Sequence, residues 1–225
     1  MKTRKISIAI ILMLSVSFAF AQLGEPVKTS FGILGGVNMQ TFSGKDAGGV
    51  KLENDMLVGF HAGVNMLIPV APEFYFQPGL LFTTKGAKNT NSLFASTYSI
   101  SYIELPLNLV YRASLGNGYV LVGFGPYVAY GIMGKAKHEG GALSYESDIE
   151  FKNIVEIADP LTTSYFKALD AGGNVFVGYE MASGIFIQLN TQIGMLNIKP
   201  EDKRNPNDES AMRNTGFGLS LGYRL

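Results

Sequence analysis

The chain has no cysteine and no tryptophan, and only two histidines, His61 and His138, among its 225 residues. Without cysteine there is no disulfide scaffold and no thiolate metal site, so an exported chain of this size is held by pairing and packing alone. Two histidines leave few arrangements for proton transfer or metal binding. Net charge is lacking as well: 18 Lys and Arg stand against 18 Asp and Glu. Long apolar runs are confined to the first residues, so no later segment approaches a membrane-spanning helix.

Lys2, Arg4 and Lys5 give a basic start, residues 6–20 an apolar run, and Ala19-Phe20-Ala21 a small-x-small site before Gln22. This reads as a cleavable secretory signal over residues 1–21, followed by a short segment over 22–30. Its removal leaves 15 basic residues against 18 acidic ones, a balance that excludes nucleic acid as a partner.

What is abundant is glycine, 27 residues, set among short runs that alternate between apolar and small or polar. In residues 215–225, Phe217, Leu219, Leu221, Tyr223 and Leu225 form one face, and Gly216, Gly218, Ser220, Gly222 and Arg224 the other. That period of two is a strand, and at the chain end it has to pair backwards, which suggests closure on the first strand. Similar alternation predicts strands over about residues 31–42, 57–68, 74–83, 98–112, 119–133, 168–181 and 185–195. The connections alternate: long at 43–56, short at 69–73, long at 85–97, short at 113–118, longest at 134–167, short at 182–184, long at 199–211. Within the longest, a hairpin is expected around Glu139-Gly140-Gly141-Ala142. The expected fold over residues 31–225 is all-β: an eight-stranded antiparallel up-and-down transmembrane β-barrel with short periplasmic turns and long extracellular loops.

Alternation does not say which face points outward, and a soluble lipid-carrier barrel would put its apolar face inside. The polar face here is Gly, Asn, Gln, Ser and Tyr rather than Lys and Glu, which suits a cramped lumen better than water. Phe31, Phe74, Phe82, Tyr111, Tyr130, Tyr179 and Tyr223, near strand ends, stand where an aromatic girdle is needed.

Gly59-Phe60-His61-Ala62-Gly63-Val64, Phe76-Gln77-Pro78-Gly79-Leu80, Tyr102-Ile103-Glu104-Leu105-Pro106-Leu107, residues 123–130 and the ending 219–225 resemble the PorT-type family of small outer-membrane β-barrel proteins of Bacteroidetes. The most distinctive of these is the Ile-Glu-Leu-Pro-Leu element; Leu225 departs from the aromatic terminus usual in such barrels. The resemblance implies a barrel of the cell outer membrane in a family mostly without assigned activity, whose named member belongs to the type IX secretion apparatus.

No catalytic residues, metal ligands or cofactor are expected. His61 should face the lumen, away from any lipid substrate, and lacks a Ser-His-acid set. Asp46, Glu53 and Asp55, and Glu146, Asp148 and Glu150, could approach a divalent cation, but a solvated loop face explains them as well. Lys85, Lys88, Lys135, Lys137, Lys203 and Arg204 are expected at the outer rim, where lipopolysaccharide phosphates would lie. The one polar constellation expected is structural: Arg112, Glu180 and Arg224 meeting across the lumen floor with Tyr75 and Gln188 nearby, and Glu104 and Asp170 at the opposite end. The function expected is a non-enzymatic structural or interaction role exercised through the outer loops, with secretion assistance implied by the resemblance. A small enzyme or transporter acting on lipid or solutes is the alternative.

Overall fold

The computed structural model describes residues 28–90, 95–140, 143–206 and 208–225; the expected signal over 1–21 lies outside the described residues. Among the described residues twelve strands occur in chain order: β1 (Ser30–Lys45), β2 (Asp55–Ala71), β3 (Phe74–Asn89), β4 (Ala95–Leu115), β5 (Gly118–Gly140), β6 (Leu143–Phe151), β7 (Ile154–Val155), β8 (Ser164–Phe166), β9 (Leu169–Met181), β10 (Ile185–Gly194), β11 (Glu201–Asp202) and β12 (Ala211–Arg224).

Eight of them form a ring in the order β1, β2, β3, β4, β5, β9, β10, β12 and back to β1, antiparallel throughout. The closing pair is the first strand with the last, from Gly32 opposite Arg224 to Lys45 opposite Ala211. Closure gives each ring strand two neighbours, so the ring has no open edge and its backbone groups pair internally.

The wall is apolar outside and polar inside. Ile33, Val37, Phe60, Val64, Leu80, Phe124, Val175, Leu189 and Leu221 are exposed, whereas Asn38, Gln40, Asn65, Gln77, Asn108, Asn174, Gln192 and Asn214 are buried. A soluble carrier barrel has the reverse arrangement, and only an apolar surrounding stabilises this one. Glycine makes the narrow interior passable. A Cβ on Gly222 would lie 2.1 Å from the Phe186 ring, and one on Gly123 would lie 2.3 Å from that of Phe176. Each bulky ring fills the space an absent side chain leaves.

The ring strands run further than the sequence reading placed them. Residues 85–97 were expected to be loop, yet β3 continues to Asn89 and β4 begins at Ala95. The 134–167 connection holds the end of β5, all of β6 paired antiparallel to it, β7 and β8. β5 has 23 residues, against roughly 9 to 11 for a strand crossing a bilayer. Its outer part therefore stands beyond any apolar layer. There the charged face points outward and the apolar face inward, so pairing persists while the alternation of the membrane wall does not.

Candidate functional site

At the short-turn end, the Arg112 guanidinium meets Glu180 at 2.8 Å, and Arg224 Nε reaches the other carboxylate oxygen at 3.5 Å. Arg112 lies 3.3 Å from the ring centre of Tyr119 and 5.9 Å from that of Tyr75. Gln188 does not join these groups: it is buried further along the lumen, lining a cavity, and its Nε2 makes no hydrogen bond. Asn65 joins instead, accepting a 2.6 Å hydrogen bond from Arg224 Nη1. Gly32 stands between them in the register, opposite both Asn65 and Arg224, and a Cβ there would collide with each. The contact thus needs the ring closed on β1, which periodicity alone does not reveal. Tyr119 was traceable, because it lies directly opposite Glu180 once β5 and β9 are paired.

A second charged cluster occupies the long-loop half. Lys85 Nζ lies 2.7 Å from Glu104 and 3.3 Å from Asp170, with side-chain exposures of 0%, 1% and 0%. Gln192 donates to Glu104 at 2.6 Å, Asn214 donates to Asp170 at 3.0 Å, and the Lys85 ammonium sits 4.1 Å from the Tyr127 ring centre. The sequence reading put Lys85 at the outer rim, and this is corrected: Thr83, Lys85 and Ala87 share the buried face of β3. One ammonium between two carboxylates, supported by amide donors, keeps three charges tolerable in a space without bulk water.

Between the clusters, a cavity of about 50 Å³ is lined by amides and His61, whose Nε2 is 2.7 Å from Ser220 Oγ. Such a volume holds one or two waters at roughly 30 Å³ each. Above the upper cluster, Phe42, Ile149, Phe166 and Ile198 pack with Tyr98 and Phe151 into an apolar lid. Phe42 packs tilted and Tyr98 edge-on against Phe166, at 5.7 and 5.6 Å between ring centres. Ile149, Phe166 and Ile198 come from the long connections, so the loops themselves close the mouth.

Outside the lid, the third and fourth long connections are stitched together. β7 and β11 pair in parallel, and Lys203 N donates to Val155 O at 3.0 Å. Arg204 grips Asp202 at 2.7 Å and donates to the Pro160 carbonyl at 3.2 Å, while Lys152 pairs with Asp159 at 2.7 Å. The Lys152 hydrogen bond holds the Asp159 carboxyl below its ordinary range, and Arg204 does the same for Asp202. Ile157 and Leu161 project from this braced region at 76% and 85% exposure.

Three more of the bases expected at the rim face acids: Lys135 meets Glu146 and Lys137 meets Glu139, each at 2.5 Å, and Lys203 meets Glu156 at 2.7 Å. Of the acids considered for a cation, Asp46 accepts from the Gly48 and Val50 amides, Asp55 from Thr90, and Glu150 lies 3.6 Å from Lys152. Among the described residues no three histidines or carboxylates converge as metal ligands. His138 Nδ1 lies 2.8 Å from Ser96 Oγ and its ring stacks on Tyr145. Neither this pair nor His61 with Ser220 has a carboxylate on the second ring nitrogen among the described residues.

Residues 20–199 match the family described as outer membrane protein beta-barrel domain. Crystal structures of Ail, the attachment invasion locus protein of Yersinia pestis, are similar over 87% of this chain and 99% of theirs. One has 11% identity and a TM-score of 0.37; the other, in complex with the heparin analogue sucrose octasulfate, has 13% and 0.38. No curated protein matches the chain. With a match over most of its length and a closed ring that is apolar outside and polar within, the chain belongs to the outer membrane protein beta-barrel domain family.

Proposed function

We infer that the protein is an eight-stranded up-and-down transmembrane barrel, exported by a signal over residues 1–21, with short turns in the periplasm and long loops outside the cell. Its role is structural or interactive, and its loops are the partner-facing surface. The observation that carries this is the contrast between the two ends of the lumen and the rim. The interior is filled by two ion clusters and an apolar lid, whereas the loops form a braced platform presenting Ile157 and Leu161 to the surroundings. A filled lumen transports nothing, and a rigid exposed surface suits recognition, because little ordering cost remains to be met on binding.

Lipid surrounds the apolar wall. Lipopolysaccharide is met chiefly through its acyl chains, since the rim bases Lys135, Lys137, Lys203 and Arg204 already face carboxylates. Assistance to secretion, type IX in kind, rests on the resemblance of the Ile103-to-Leu107 element and its companions to PorT-type barrels. The alternative of a small enzyme or transporter would require a catalytic set or an open path. Neither histidine is equipped for the first, and the cavity is too small for the second.

Protease added to intact cells tests the topology, with cleavage within 155–163 expected before any other site. Cleavage confined to the 69–73 or 182–184 turns would invert it. Deletion of the protein followed by an inventory of secreted proteins tests the secretion reading, and an unchanged inventory would reject it.

A further inference from the structure

The outer wall bears a shallow groove of about 370 Å³ at the short-turn end, where β12 lies between β1 and β10. Ile33, Ile185, Leu221 and Tyr223 flank it, and Gly35 forms part of its floor. Gly35 lies opposite Leu221 on one side and Ala62 on the other, so two of the smallest residues stand together on a wall of large aliphatic side chains.

Neither conformation nor packing demands glycine at this position. Gly35 is not among the residues with positive φ. A Cβ added there would meet nothing nearer than the His61 carbonyl oxygen at 3.6 Å, whereas one at neighbouring Gly36 would lie 2.0 Å from the Leu219 carbonyl oxygen. A side chain therefore fits at position 35, and its absence leaves a hollow in the lipid-facing surface. Atoms lining a hollow lose dispersion contacts unless something flexible enters it. The lining carries no charged side chain, and its one hydroxyl belongs to Tyr223, near the end of β12. Tyrosine at such a position stands at headgroup depth, ring in the apolar layer and hydroxyl towards the polar one.

We propose that this groove is a binding site for one acyl chain of a glycerophospholipid, held at the seam between the first and last strands with its headgroup beside Tyr223. The site is continuous with the lipid interface that the wall already forms, so no new surface has to be desolvated. A second copy of the chain is a poorer occupant, because a stable protein interface buries about 800 Å² per partner and needs a broad complementary face. The proposal rests on the membrane-spanning reading above.

The test is native mass spectrometry of the full chain released from detergent micelles with added phosphatidylethanolamine. One retained phospholipid is expected on the unmodified barrel. Gly35→Leu and Gly35→Phe, which fill the hollow from β1, should each reduce retention several-fold. Val122→Leu, on the opposite wall, should leave it unchanged. Heat-dependent mobility in dodecyl sulfate gels reports the folded barrel in every sample, and its absence from the unmodified protein would reject the barrel itself. With folding intact, equal retention by all variants overturns the lipid site. So does a dimer signal that both groove-filling variants abolish.

Discussion

Lys85 is the residue on which the upper lumen depends. Its ammonium is the cation shared by Glu104 and Asp170 in a space with no exposure. Replacing it by Met would leave two carboxylates facing each other, and breaking such a buried pair costs about 3 to 5 kcal/mol. We expect Lys85→Met to lower the unfolding free energy of the barrel in micelles, measured by urea titration, by that amount, and Lys85→Met/Glu104→Gln to recover part of it. At the floor, Glu180→Ala removes the carboxylate between two guanidinium groups and should lower thermal stability. The loss should be smaller than for Lys85→Met, because Arg112 is partly exposed and rests on Tyr119 while Arg224 keeps Asn65. Equal stability of Lys85→Met and the unmodified protein would contradict the assignment of Lys85 to the interior. The sequence pointed towards the floor more readily than the upper cluster for a physical reason. Arg112, Glu180 and Arg224 stand on the polar face of clean apolar alternation near strand ends. Lys85 instead falls among lysines, threonine and asparagine, where interior and rim look alike.

At the scale of elements, the strands within the apolar layer were legible and their outer extensions were not. Lipid on one side and a packed lumen on the other impose a period of two. Beyond the lipid, paired β5 and β6 set Lys135, Lys137, Glu146 and Asp148 on one face and bury Ala136 and Ile149 on the other, so the apolar side turns inward and the alternation of the membrane wall is lost. Asn65 and the loop bracing were hidden for another reason, since both depend on which distant segments the ring brings together. The bracing carries its own pH dependence. Asp159 and Asp202 titrate below an ordinary aspartate because Lys152 and Arg204 donate to their charged forms. Their contribution is complete above the free value of 3.8 and is lost as pH falls through the lower value in the folded loops. Spin labels at positions 157 and 199 should give a distance distribution that is narrow at about pH 6 and broadens as the pH is taken progressively below 3.8. A distribution unchanged at the acid end would show that backbone pairing of β7 with β11 suffices alone.

For the whole molecule, the organising fact is an inverted barrel: apolar residues meet the membrane, and a narrow interior is filled by polar side chains gathered round two ion clusters. The inversion was visible in the small, amide-rich face of the strands, whereas the seal required coordinates. The apolar lid draws Ile149, Phe166 and Ile198 from connections whose sequence looks like ordinary loop. Two ion clusters, a cavity of about 50 Å³ and this lid lie one above another along the lumen. If that stack is closed, activity resides on the outer surface and not in passage through the protein. The most direct measurement is conductance of the purified protein reconstituted in planar bilayers. Insertion without steady current is the expected result, with Lys85→Met or Glu180→Ala producing at most brief openings. Large, stable single-channel currents from the unmodified protein would contradict the sealed lumen and make transport its function.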